Sequence, residues 1–407
     1  MAFFDAARRD YVAANAGTLY WMLQRPALGD GFLNTKQNSL TCEDYGAEDG
    51  VRGPDYIYGW IQGRGLEALV GHAEFFDQEL PPLAEKLDAT GRRLYGLLAG
   101  LQKANGHAYF CYDRDIRPVY GDAAGAIHQQ QRQGPIYSYS DAFVAKGLIA
   151  AVSRYGLPDL AEHLAYFHRV VEAIEDGRFQ MDERRPLSLD SIASQADDFG
   201  PRMILLGAAG MLKRFGHADR LDYADRFIAH IMERHFDEAA GLLRNVPGED
   251  LCNVGHGIEF VGFALDYLDG NADPALIEKL ERILVASFDK GFVGPGLVLT
   301  VSTVTDEPQS PYCPWWSLPE TIRAAALVHA CTGSAESLRV WKKAHAAFFE
   351  HYWRGTPPIA YQTMTKDGPV DFVPATPDLD PGYHTGLSLL SAIHAADQLM
   401  PTTRIAR

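Results

Sequence analysis

Apolar positions recur along most of the chain at intervals of three and four, the period of a helix with one buried face, and the pattern predicts about twelve helices. Their spans are 3–22, 56–79, 82–104, 141–155, 158–176, 200–215, 219–236, 256–269, 275–290, 317–332, 335–353 and 386–400. Turn-forming residues punctuate them. Pro158-Asp159 opens the fifth, Gly216 closes the sixth, and Gly333-Ser334 parts the tenth from the eleventh. Strand-like pieces are short. Ala108–Asp113 and Pro118–Tyr120 flank a turn at Arg114-Asp115, and Ile359–Thr365 and Val370–Val373 flank Lys366-Asp367-Gly368. These read as hairpin insertions and not as a central sheet.

Twelve helices pair into six hairpins with odd helices outside and even helices inside, so the expected fold is all-α, an (α/α)6 barrel (six-hairpin toroid) with short β-hairpin insertions. A helical solenoid is the competing layout, but no consensus repeats at a fixed period. The placing of unusual polar residues favours the closed ring. Trp60 and Arg64 lie on the second helix, and Tyr139 and Asp141 open the fourth. Asp198 and Arg202 flank the start of the sixth, and His256 and Glu259 open the eighth. Trp315, Trp316 and Glu320 lead into the tenth, and His384 precedes the twelfth. In a ring those ends converge on one mouth, where a polar, aromatic-walled pocket forms. No Ser/Gly-rich linker divides the chain, so residues 1–407 are expected to form one catalytic domain.

Composition narrows the function. With 53 acidic against 37 basic residues the net charge is −16, which gives no reason to approach nucleic acid or an anionic membrane. The five cysteines (Cys42, Cys111, Cys252, Cys313, Cys331) are odd in number and scattered, with no CxxC pair, which suits free thiols in a reducing compartment. Asp5, Arg8, Arg9 and Asp10 interrupt any signal-peptide core, and the longest apolar stretch, around Met203 to Leu212, is too short to span a membrane. A cytoplasmic protein is expected, and a homodimer through the outer helices is compatible with this layout.

Asn253-Val254-Gly255-His256-Gly257-Ile258-Glu259 carries the sharpest chemistry. Residues three apart share a helix face, so Glu259 can accept from one nitrogen of His256 and raise the basicity of the other. The same pattern also suits a helix-start histidine satisfied by a neighbouring acid. His384 sits in the turn Asp380-Pro381-Gly382-Tyr383-His384, where a side chain can point into a cavity. Two such histidines across a pocket can take a proton from one face of a carbon and return it to the other. Trp60-Ile61-Gln62-Gly63-Arg64 sets an aromatic and a permanent cation on one helical face, suited to a developing oxyanion. Trp315-Trp316 before Glu320, with Tyr109 and Tyr139, supplies ring surfaces on which a sugar can stack, although core packing is the commoner fate of such rings. No GxSxG, HExxH or phosphate loop occurs, so no metal centre or cofactor is expected. Asp197-Asp198 gives a glycoside hydrolase reading with paired carboxylates.

Taken in order, these segments resemble the N-acylglucosamine 2-epimerase superfamily. Trp60-Ile61-Gln62-Gly63-Arg64 resembles its WLQGR segment, Gly255-His256-Gly257-Ile258-Glu259 its GHxxE helix start, and Trp315-Trp316 with Glu320 its WW-x-x-x-E segment. His384 falls where the second histidine stands, and Tyr139-Ser140-Asp141-Ala142-Phe143 aligns with YGQAF. Asp141 replaces the glutamine of that motif, and Arg202 an apolar residue near the sixth inner helix. The resemblance implies a sugar 2-epimerase or aldose–ketose isomerase acting through a cis-enediolate. His256, His384, Glu259 and Arg64 would be its catalytic residues. Trp60, Tyr109, Tyr139, Asp141, Asp198, Arg202, Trp315, Trp316 and Glu320 would bind a small-molecule sugar, without metal or redox cofactor. A catalytically silent sugar- or protein-binding member is the remaining alternative.

Overall fold

The computed structural model describes residues 2–122, 124–268, 272–372 and 376–400. Among them are fourteen α-helices: α1 (Ala2–Gln24), α2 (Gly59–Glu79), α3 (Pro81–Asn105), α4 (Tyr139–Tyr155), α5 (Leu160–Glu175), α6 (Leu189–Ala193) and α7 (Gly200–Leu206). They continue as α8 (Ala209–Arg214), α9 (Asp222–Arg234), α10 (Val254–Leu268), α11 (Pro274–Gly291), α12 (Ser317–Thr332), α13 (Ala335–Ala347) and α14 (Ser388–Leu399). Each of the twelve predicted spans holds a helix. The second starts late because Ile57–Tyr58 pairs as a strand with Cys111–Tyr112. The sixth breaks into α7 and α8 at Gly207-Ala208, and the eleventh ends in a π-turn over Phe348–Tyr352. Residue 269 of the predicted eighth helix and residue 373 of the second predicted hairpin lie outside the described residues.

The first predicted hairpin forms and gains a strand on each side. The second forms from Thr363–Thr365, but its return strand is Gly368–Pro369, inside the expected turn, and not Val370–Val373, of which residues 370–372 are not strand. Cys111–Tyr112 and Pro118–Gly121 join Ile57–Tyr58 and Ile127–Gln129 in an antiparallel four-stranded sheet. Thr363–Thr365 pairs with Gly368–Pro369 and with Cys313–Pro314, the strand that leads into α12.

Backbone contacts gather the chain into two compact units, one of residues 19–229 with 376–383, the other of residues 2–18, 230–372 and 384–400. In the first, α2 and α4 pack on one another, with α3 and α5 beside them. Burial separates the two classes of helix. α4 is sealed continuously from Ser140 to Val152, whereas α3 buries Leu83, Ala84, Leu87, Gly91, Leu94, Tyr95, Leu98 and Gln102, the single stripe of a surface helix. Glycines let α2 and α4 meet backbone to backbone. A Cβ on Gly63 would lie 2.7 Å from the carbonyl carbon of Phe143, and one on Gly147 would lie 2.6 Å from the carbonyl oxygen of Gly63. A fully buried ion pair, Lys36 Nζ to Asp378 Oδ1 at 2.8 Å, ties the loop after α1 to the segment before His384.

The second unit repeats the alternation. α10 packs on α12 and α12 on α14, all buried on most sides, while α11 and α13 present one apolar stripe each. The first half of α1 joins this unit: Tyr11 accepts the indole N–H of Trp341 at 2.9 Å, and Asn15 Nδ2 donates to the Gly386 carbonyl at 3.0 Å. No helix among the described residues is long and apolar enough to cross a membrane.

Candidate active site

In the second unit, three helix starts bring together six of the residues singled out by sequence. Asn253 Oδ1 accepts the backbone N–H of His256 at 3.1 Å, the capping arrangement that begins α10. The backbone of Gly255 lies flat against Trp316, since a Cβ there would sit 2.6 Å from the indole. The His256 ring lies 5.4 Å from the Trp316 ring at 30°, and the His384 ring lies 5.9 Å from the same ring at 37°. Trp315 meets His384 edge-on at 6.3 Å. Both histidines therefore border one indole, and His256, Trp315 and Trp316 keep part of their surface exposed.

His384 is oriented by a carboxylate. Its Nδ1 lies 3.0 Å from Glu320 Oε1 and 3.9 Å from Glu259 Oε1, and both acids are buried. Arg323 Nη1 reaches Glu320 Oε2 at 3.0 Å. Burial alone would raise the Glu320 carboxyl, but Arg323 and then His384 hold it below the ordinary carboxylate range. An ionised Glu320 makes Nδ1 the donor, so any acid/base chemistry at His384 would have to run through Nε2. The sequence places Glu320 among the sugar contacts and Glu259 beside His256. The structure seals Glu320 completely and turns it to His384, with Glu259 near the same imidazole. The donor atoms of Glu259, Glu320 and His384 all lie within 4.8 Å of one another, a set that could hold a divalent cation. Arg323 already brings a positive charge to that set, and the His384–Glu320 hydrogen bond uses the nitrogen a metal would need.

In the first unit, an aromatic cluster surrounds a cation. The Arg64 guanidinium lies 4.0 Å from the centroid of Phe143, 5.3 Å from Trp60 and 5.5 Å from Tyr383. Trp60 meets Tyr139 edge-on at 5.5 Å. Gly200 allows Tyr139 and Asp198 to close on the start of α7: a Cβ there would sit 2.7 Å from the Tyr139 hydroxyl and 3.0 Å from Asp198 Oδ1. Asp198 Oδ1 accepts the Gly200 N–H at 2.7 Å. Arg202 leans on Phe227 at 5.9 Å, and Tyr109 carries Arg132 over its ring at 4.7 Å.

Asp141 is placed differently from a sugar contact. It is 0% exposed, and it accepts from Arg132 Nη1 at 3.0 Å, the Tyr166 hydroxyl at 2.6 Å, and the backbone N–H groups of Ala108 and Ser138 at 3.0 and 2.9 Å. Burial would push its carboxyl up, but Arg132, with His107 and Tyr166, holds it well below its ordinary value. Such a carboxylate organises the start of α4 and has no open face for a ligand.

Three residues escape the sequence reading. Lys146 is fully buried, 2.5 Å from the Tyr383 hydroxyl and 3.2 Å from Glu67 Oε2; a lysine inside the run Ala142–Leu148 is a signal that periodicity alone passes over. Arg323, one turn beyond Glu320, is legible as an i,i+3 pair. Glu183 lies in Asp182-Glu183-Arg184-Arg185, which reads as a solvated charged loop, yet it is buried and receives the Trp60 indole N–H at 2.7 Å.

No family model and no curated protein matches the chain. Solved structures do. Cellobiose 2-epimerase from Bacillus thermoamylovorans B4167 is similar with a TM-score of 0.72 at 16% identity, over 97% of this chain and 100% of that one. A D-mannose isomerase gives 0.68 at 12% identity over 97% and 98%. An unsaturated glucuronyl hydrolase specific for heparin gives 0.58 at 10% identity over 97% and 98%. These likenesses show the fold, the (α/α)6 barrel expected from the hairpin pattern. The first two are, by name, a sugar 2-epimerase and a sugar isomerase.

Proposed function

We propose that the chain is a sugar 2-epimerase or aldose–ketose isomerase of the N-acylglucosamine 2-epimerase type, acting on a reducing sugar. The observation that carries this reading is that His256 and His384 border the same Trp316 indole while Glu320 fixes the tautomer of His384. One imidazole takes the C2 proton of the open-chain aldose as the carbonyl oxygen gains negative charge, giving a cis-enediolate. Return of a proton to the opposite face of C2 by the other imidazole yields the 2-epimer. Return to C1 yields the ketose. No atom is gained or lost overall, so neither route calls for an oxidant. Arg64 is the cation assigned to the developing oxyanion. Trp60, Trp315 and Trp316 are the assigned stacking surfaces, with Tyr109, Tyr139, Asp198 and Arg202 as further candidates. The five cysteines, all free thiols, support a cytoplasmic setting.

The hydrolase reading has the fold likeness to the glucuronyl hydrolase behind it. Of the acids it would use, Asp141 is sealed and Asp198 accepts the Gly200 N–H, while Asp197 is exposed.

The test is incubation in deuterium oxide with a panel of aldoses, N-acylated sugars and disaccharides, with and without a chelator, followed by proton NMR. Deuterium should enter C2 of one sugar whether or not chelator is present. His256→Ala and His384→Ala should each lose exchange by roughly 10²-fold or more. Glycoside cleavage that persists in both variants would sink the two-histidine mechanism.

A further inference from the structure

Glu183 takes no part in the proton transfers above, yet it holds one ring of the aromatic cluster in the first unit, Trp60. Its Oε1 accepts the Trp60 indole N–H at 2.7 Å and the Ser140 backbone N–H at 3.0 Å. Its Oε2 accepts the Ser138 hydroxyl at 2.9 Å and the Ser140 hydroxyl at 2.7 Å. The Glu183 backbone is itself held, since Gln130 Nε2 donates to its carbonyl at 3.1 Å. One buried carboxylate thus links the first turn of α2 to the first turn of α4.

An indole held only by ring contacts can swing in its plane, whereas one whose N–H reaches a charged acceptor has a fixed azimuth. Trp60 in turn faces the guanidinium of Arg64 at 5.3 Å. We infer that Glu183 is a positioning residue of the sugar site: by holding the Trp60 indole N–H it sets the aromatic wall on which Arg64 rests. The inference depends on the proposed reading of Trp60 and Arg64 as sugar contacts, but the contact itself can be tested without any sugar.

Burial pushes the Glu183 carboxyl up to about 7, against the lowering donors Trp60, Ser140 and Ser138, and Asp141 adds to the rise. The charged groups around it are Asp141 on α4, paired with Arg132 and His107, and Arg64 on α2 against the Trp60 ring. Asp141 stays ionised through the neutral range, and loss of the titration in Glu183→Gln is what separates Glu183 from any histidine that changes charge in the same range.

The full-length protein, labelled with nitrogen-15, gives the readout through its indole N–H resonances, with Trp60→Phe assigning the one that matters. In the unsubstituted protein the Trp60 resonance should shift with pH around 7. In Glu183→Gln it should stay flat, because the amide still accepts from the indole but no longer titrates. In Glu183→Ala it should move upfield. On the sugar that shows C2 exchange, Glu183→Ala should lower kcat/KM by about 10- to 100-fold, the worth of a hydrogen bond to a charged group, and Glu183→Gln should recover most of it. A Trp60 resonance that ignores both substitutions overturns the proposed contact. A resonance that moves while kcat/KM holds shows a structural link without a role in the site, and also overturns the inference. If Glu183→Ala does not fold, the titration of Glu183→Gln decides alone. Should no sugar exchange at all, the indole arm still decides the contact, and the sugar reading is what fails.

Discussion

The Ser138 hydroxyl lies 2.9 Å from Glu183 Oε2 and 3.3 Å from Asp141 Oδ2, so one small side chain stands between two buried carboxylates of opposite behaviour. Asp141 is depressed below its ordinary value of 3.8 by Arg132 and its hydrogen bonds. It therefore contributes stability at neutral pH that is lost as the pH falls below about 4. Asp141→Asn should lower urea-unfolding stability at pH 7 by about 3–5 kcal/mol, because Arg132 is left buried without its counter-charge. The gap should narrow in unfolding curves taken at pH 3. Glu183 has the reverse sign. Raised from 4.5 to about 7, it favours the fold most at low pH and loses that contribution, on the order of 3 kcal/mol, as the pH rises through 7. At His384 the prediction is kinetic. Glu320→Gln keeps a hydrogen-bond partner at Nδ1 but removes the charge that favours a positive imidazole, so kcat should fall roughly 10²-fold or more with KM nearly unchanged. Steady-state rates of C2 exchange would check it. Little of this polarity was legible in the sequence. Glu259 and Glu320 each stand a helical turn beyond a candidate histidine or tryptophan, which drew attention to them. Which imidazole each serves depends on where the turn before α14 meets α10 and α12, and that is set by packing between distant segments.

At the scale of elements, the glycine of Trp60-Ile61-Gln62-Gly63-Arg64 has a mechanical reason to be there. It is the point where α2 and α4 cross with almost no separation, and Gly147 faces it from the other helix. Gly63→Ala would drive a methyl group into the backbone of α4, and helix axes cannot part without disturbing Trp60 and Arg64 on either side of the crossing. A loss of about 1–3 kcal/mol in urea unfolding is expected, as for overpacked cores, with a larger fractional loss of activity. Helices with one apolar stripe, such as α3, α5 and α11, were legible because their burial follows the 3.6-residue period. Helices buried on most sides were legible from continuous apolar composition, with their ends less so. Apart from Cys111–Tyr112, which the turn at Arg114-Asp115 marked, most two-residue strands and the five-residue α6 were not, since segments this short carry no period. The breaks at Gly207-Ala208 and Phe348–Tyr352 are decided by tertiary packing and left no pattern either.

For the whole molecule, the fold class followed from counting helices and noticing that unusual polar residues gather at the starts of alternate ones. That argument needed no knowledge of any contact, which is why it survived to a fold while the partner of each acid did not. The net charge of −16 makes a prediction of its own. Like charges spread over the surface repel in the compact state, and added salt screens them. Raising sodium chloride from roughly 20 to 200 mM should lift the midpoint of a thermal melt by about a few degrees. A midpoint that fell instead would mean that attractive pairs, such as Arg154 with Asp77 and Asp88, outweigh the repulsion.

The sealed pair between Lys36 and Asp378 bears on how the protein can be handled. Asp378 belongs to the stretch that delivers the chain to His384, but its cation comes from a loop more than three hundred positions earlier. A clone trimmed to begin after that loop would keep every helix bearing a candidate histidine, yet it would strand a carboxylate in a place water cannot reach. Such a truncation should misfold during expression. The first forty residues, which hold none of the expected chemistry, are thus a condition for the stretch leading to His384, the last of the candidate catalytic residues, to fold.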